Sequence, residues 1–120
     1  MSDIITIKCE GFEVRTARIS PMDWEELNRI LIHYRIIPVL KEGQKSLETT
    51  AVMLSAMPDE MYKKVRDIAF KHAHINEQKM IISNFSGDMS QLYVYLHGWL
   101  LENFGQLVKL FNFKKADSAT

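Results

Sequence analysis

The spacing of apolar residues changes along the chain. From residue 4 to residue 17, Ile4, Ile5, Ile7, Cys9, Phe12 and Val14 alternate roughly with polar residues on either side of Glu10-Gly11. A period near two broken by a glycine predicts a short hairpin or two edge strands. Two strands are marginally stable alone, so their apolar face must lie on helices or pair with another chain, and the unpaired edge is a candidate docking site.

Beyond Ser20 the period lengthens. Ser20 is a favoured N-cap, Pro21 suits the first helical position, and Asp23, Glu25 and Glu26 complement the positive end of a helix. Trp24, Leu27, Ile30, Leu31 and Tyr34 then recur at three- and four-residue intervals, which predicts an amphipathic helix that stops before Pro38. Residues 41 to 45 read as a polar loop. A shorter helix is expected from Ser46, with Leu47, Ala51, Leu54 and Met53 inward, although Thr49, Thr50 and Val52 are poor helix formers. Pro58 followed by Asp59 and Glu60 starts another, with Met61, Val65, Ile68, Ala69 and His72 on its inner face and fraying near residues 74 to 76. Met80, Ile81 and Ile82 are too few to assign, and residues 83 to 87 read as a loop.

The last helix carries the strongest signal. Asp88 is a good N-cap, and Met89, Leu92, Tyr93, Leu96, Trp99, Leu100, Phe104, Leu107, Val108 and Phe111 follow in helical register. Its apolar surface, widened by Tyr95 and Phe113, is too broad for one seam, so the helix is either central to a bundle or shared with a second chain. Gly98 would let a neighbouring helix approach closely; Gly105 reads as a cap, a kink or a tolerated helical glycine. The expected fold is mainly α: a compact bundle of about four helices with a short N-terminal β-hairpin. One domain is expected over residues 1–113, with the hairpin in 1–18 and the helices in 20–113, followed by a flexible tail over 114–120.

Composition narrows the class. The 120 residues include 47% hydrophobic and 25% charged residues, close to globular averages, and no run approaches a membrane span. The first residues lack the basic-then-apolar layout of a signal peptide, and the single cysteine, Cys9, forbids an internal disulfide, so the expected address is cytoplasmic. Fifteen basic residues balance fifteen acidic ones, which removes the global electrostatic footprint of a nucleic-acid binder and makes self-association easier. Lys63, Lys64, Arg66, Lys71 and Lys79 are interleaved with Asp59, Glu60, Asp67 and Glu77 and read as a solvated helix face.

Candidate chemistry is sparse. His72 and His74 are two apart, on opposite sides if helical, and no further Cys or His stands at a ligand spacing. His33 and His97 lie near apolar helical positions, where a satisfied, partly buried histidine is commoner than a general base. No phosphate-binding glycine loop, nucleophile elbow or zinc-protease motif is present. An enzyme would need a pocket joining His72 or His97 to a carboxylate; the expectation is a protein that binds other proteins, without catalysis, metal or cofactor. The seven methionines, among them Met53, Met57, Met61, Met80 and Met89, fill core gaps and suit an adaptable apolar surface.

Ser86-Gly87-Asp88-Met89, then Leu92-Tyr93-Val94-Tyr95-Leu96 and Trp99-Leu100-Leu101-Glu102-Asn103-Phe104-Gly105, resemble the last helix of tail assembly chaperones of long-tailed, siphovirus-type bacteriophages. The resemblance spans residues 58 to 105. It implies a mainly helical assembly factor of the host cell cytoplasm, one that binds the phage tape measure protein before the tail tube polymerises around it and is absent from the finished virion. The tail tube protein is a further implied partner. Such proteins are frequently made in two forms by a ribosomal frameshift, and Lys114-Lys115 is a pair that a slippery run of adenines would encode. On this resemblance and the helix periodicity, Trp99, Phe104, Leu107, Phe111 and Phe113 are expected to contact the partner, from a self-associating protein that binds neither membrane nor nucleic acid. The alternative is a small phage or bacterial host-takeover or anti-defence protein that inhibits a host complex by binding it.

Overall fold

The computed structural model describes residues 4–119, with side chains described through Leu107. Alternation along the first residues builds β1 (Ile4–Cys9) and β2 (Phe12–Ala17), an antiparallel hairpin whose register runs from Ile4 opposite Ala17 to Cys9 opposite Phe12. Gly11, at φ 91°, takes the turn position where a side chain would be strained. Ile5, Ile7 and Val14 face inward and are buried, while Ile4, Thr6 and Lys8 face outward.

The sheet is larger than the expected hairpin. β3 (His74–Ile75) and β4 (Gln78–Lys79) add to β2 and complete an antiparallel sheet ordered β1-β2-β3-β4. Two-residue strands have no readable period, and the turn between them, Asn76 at φ 51° and Glu77 at φ 69°, is built from residues other than glycine. Where the sequence suggested a fraying helix end there is therefore a tight β-turn.

α1 (Pro21–His33) starts as expected: Ser20 Oγ accepts from the Asp23 amide at 3.3 Å. Leu27, Ile30 and Leu31 are buried, and Trp24 and Tyr34 are half-buried against the core. Arg35 then turns the chain in the left-handed region, φ 62°, into the one-turn α2 (Ile36–Val39), which buries Ile36 and Ile37 and carries Pro38 where the ring costs no intrahelical bond. The expected polar loop is a 3-10 segment, Leu40–Ser46, broken at Gly43 (φ 62°).

α3 (Leu47–Ala56) buries Leu54 and, against expectation, Thr50, while Leu47, Ala51 and Met53 are half-buried. α4 (Asp59–Phe70) buries Val65 and Ala69. It ends before His72, which is exposed rather than on the inner face as its spacing suggested. The orphan carbonyls at its end find side-chain donors: the Tyr95 hydroxyl donates to Ala69 O, and Lys79 Nζ donates to Phe70 O and Lys71 O at 3.4 and 3.2 Å. Met80 is buried, and a second 3-10 turn, Ile82–Phe85, drives Phe85 into the core.

α5 (Ser90–Ala119) is the axis of the fold. Asp88 Oδ1 accepts from the Ser90 amide at 3.0 Å at its start, as a capping aspartate should. Leu92, Tyr95, Leu96, Trp99, Leu100 and Phe104 recur at helical spacing and are all buried, because β1, the first 3-10 segment, α2, α3 and α4 surround this helix. Gly98 does permit a close approach, by β1 rather than by a helix: a Cβ there would stand 2.8 Å from Ile7 Cγ2. Helical backbone continues through Gly105 and into the residues expected to form a tail; the flexibility expected of 114–120 lies outside what is described. Asn103 ties the chain between β2 and α1 to α5, its Oδ1 accepting from the Ile19 amide at 2.9 Å and its carbonyl from Trp24 Nε1 at 3.0 Å.

The fold is thus mainly helical, and among the described residues no helix is long and apolar enough to cross a membrane.

Candidate protein-binding surface

Of the side chains expected to meet a partner, Trp99, Phe104 and Leu107 are described. Trp99 and Phe104 are 1% and 0% exposed. Phe104 stacks on Trp24 with ring centroids 5.3 Å apart, and both aromatic residues belong to the central core, so neither offers surface in the folded subunit. Their register on the helix is legible in the spacing, but burial depends on the elements that surround that helix, which no helical period reports. Leu107 is half-buried against the same core. Phe111 and Phe113 lie outside the described side chains.

An open, mainly apolar groove lies on the flank of α5 that faces α3. Leu47 and Ala51, one turn apart on α3, face Tyr93 and Val94 across a groove of about 500 Å³, with Gln44, Lys45, Glu48 and Ser90 at its rim. At one end Ser55 Oγ donates to Tyr93 Oη at 2.9 Å. Gln44, Leu47 and Val94 also wall a neighbouring cavity of about 270 Å³ that runs under β1, where Thr6, Ile7 and Lys8 meet His97, Gly98, Leu101 and Glu102. The two spaces are neighbours that share Gln44, Leu47 and Val94 as walls. Lys8, Lys45, Glu48 and Glu102 stand along them, and none is ion-paired within the described residues. The sequence marked Leu47, Ala51 and Tyr93 as inward; it could not tell a closed helix interface from an open one.

His97 closes the floor of the cavity. It is 2% exposed, and its Nε2 lies 2.8 Å from Ser46 Oγ, which is 2.7 Å from Gly43 O. Since the serine hydroxyl donates to that carbonyl, it accepts from the imidazole N–H. A serine nucleophile needs the opposite polarity, with its hydrogen directed at the imidazole. The cavity wall includes both His97 and Glu102, yet no hydrogen bond joins them. The Ser46–His97 pair is a tie between the 3-10 segment and α5.

Burial lowers the His97 pKa, and the Gly43 carbonyl offsets this in part. The folded state therefore resists a proton that the unfolded chain accepts near pH 6.5. Stability is expected to be fully present above that value and to decline below it, by at most about 1.4 kcal/mol per pH unit. Urea melts from pH 7.5 to 5 check this: His97→Gln should flatten the profile, and an unchanged slope in that variant would remove His97 as the cause.

Other candidate chemistry stays dispersed. Among the described residues no three His, Cys, Asp or Glu side chains converge on a metal position. In the basic cluster Lys63 pairs with Asp59 at 2.9 Å, Arg66 lies 3.9 Å from Asp67, and Lys71 pairs with Asp23 at 2.7 Å, which holds the Asp23 carboxyl below its usual range. Burial pushes the Cys9 thiol up to about 11, so at neutral pH it is a protonated strand residue. Comparison with protein-family models, curated proteins and solved structures gives no match to this chain.

Proposed function

We propose that this chain is a protein-binding assembly factor of the tail assembly chaperone kind, which holds a phage tape measure protein before tail tube assembly and is absent from the mature virion. The observation that supports the reading most directly is the groove between α3 and α5, an open apolar trough of about 500 Å³ floored by Leu47, Ala51, Tyr93 and Val94. A long helical polypeptide has an apolar stripe that must be covered before it assembles, and a trough between two helices accepts such a stripe through residues one turn apart. Charges of both signs on the rim suit a holder that must later release its client, since exposed ion pairs add little affinity. The aromatic segment around Phe111 and Phe113 extends the proposed contact on the grounds of sequence alone, and self-association belongs to the same reading.

Co-expression with a phage tape measure protein tests this. The tagged chain should retain that protein, and Ala51→Glu with Val94→Glu should reduce the yield by about tenfold or more, because a carboxylate buried against an apolar stripe costs on the order of 2 kcal/mol or more. Circular dichroism should show both variants folded, as these positions are half-buried in the free chain. Retention of a host protein in one-to-one complex, with no tape measure protein bound, would instead favour an inhibitor of a host complex.

A further inference from the structure

β1 is the free edge of the sheet. The phase of its hydrogen bonds follows from the hairpin. Cys9 and Phe12 flank a two-residue turn and exchange bonds, so Ile7 with Val14 and Ile5 with Thr16 do the same. The main-chain groups of Ile4, Thr6 and Lys8 therefore point away from β2. The far side of β2 confirms the phase: Arg15, which stands opposite Thr6, is the residue that pairs with His74 of β3. No hydrogen bond from another element reaches the outward groups of Thr6 or Lys8 among the described residues. Beneath this edge lies the cavity of about 270 Å³. That is just under the roughly 300 to 1,000 Å³ of small-molecule pockets, and fits one apolar side chain.

We infer that the β1 edge receives an extended segment of a partner protein as an additional antiparallel strand, with one apolar side chain seated in the cavity beside Ile7 and an acidic side chain beside Lys8. The inference deepens the protein-binding reading by giving the sheet edge a second, extended contact next to the groove. The occupant is a lone strand and not a second copy. In the symmetric antiparallel register about Thr6, a second β1 would set Ile4 and no acidic side chain opposite Lys8.

The sheet specifies the sequence of the visitor. Opposite Ile7 its side chain points inward, toward Gly98 and Leu101, and must be apolar. Opposite Lys8 it points to solvent; Glu13 stands on the other side of that lysine without forming an ion pair, so Lys8 retains a charge for an acid to meet. Opposite Thr6 a threonine continues the row. Opposite Ile4, which is 58% exposed, an apolar residue covers the exposed isoleucine. Read antiparallel, the matching segment is Glu-Leu-Thr-Val-Ile.

The test is fluorescence anisotropy with the full chain and a labelled peptide containing Glu-Leu-Thr-Val-Ile. Wild type should bind it, and Leu→Asp in the peptide should abolish binding. Thr6→Pro removes an outward N–H without removing a β1–β2 ladder bond and should weaken binding by at least about tenfold. N-methylation of the peptide's threonine makes the same cut with the protein untouched, so the result holds even where Thr6→Pro unfolds the chain. Lys8→Glu should weaken binding by about two- to fivefold, and a peptide with Lys in place of Glu should recover it. Absence of binding by wild type, or affinity indifferent to the N-methyl group, overturns the inference; so does a concentration-dependent dimer that Thr6→Pro abolishes. Tape measure protein that co-purifies undiminished with Thr6→Pro but is lost from Val94→Glu refutes the edge contact and leaves the groove reading intact.

Discussion

Trp99→Ala is expected to remove about 3–5 kcal/mol of folding stability, a large part of the roughly 5–15 kcal/mol that a domain possesses. Trp99 is 1% exposed on the central helix, so truncation leaves a void in the core in place of the indole. Urea denaturation followed by far-UV circular dichroism should show the midpoint falling with little change in slope. The same measurement separates a core role from a surface role. A tryptophan that met its partner from the surface would lose less than about 1 kcal/mol on truncation.

The second large effect is expected at the contact of Ile7 with Gly98, where it takes the form of a change of sign. In the wild-type chain, Gly98→Ala adds a Cβ 2.8 Å from Ile7 Cγ2. The branched side chain cannot swing a flexible end away, so overpacking of about 1–3 kcal/mol opposes the helical gain of up to about 1 kcal/mol from alanine. Ile7→Ala alone should cost about 2–5 kcal/mol, since Ile7 is 6% exposed. In that background the same Gly98→Ala change should stabilise, because the obstructing methyl is gone and only the helical preference remains. A double-mutant cycle measures the coupling, and additive effects would mean that β1 does not press on α5 at this point.

Much of the architecture is legible before folding is considered. Ser20-Pro21, Pro58-Asp59 and Asp88 locate helix starts because capping and proline geometry are local matters, settled within a few residues. The alternation from Ile4 to Ala17 gives the first hairpin for the same reason. The second hairpin was illegible because its strands are too short to carry a period and its turn holds Asn76 and Glu77 in a region that glycine usually supplies. The spacing puts His72 inward only if the helix continues; α4 ends at Phe70, where Tyr95 and Lys79, distant in sequence or across the turn, take its last carbonyls.

The candidate surface divides along the same line. Periodicity identified the apolar face of α5 and the inward rows of α3, so the sequence by itself determined which side chains must leave water. Which of them meet this chain and which stay open was decided only by tertiary packing. Phe104 is covered where Trp24 of α1 stacks on it and Trp99 lies within the core, while Leu47, Ala51 and Val94 remain at an open trough because nothing among the described residues fills the gap beside β1. A helical period fixes direction around one axis. The distance to the next element, which separates a core from a groove, comes from the packing of other parts of the chain.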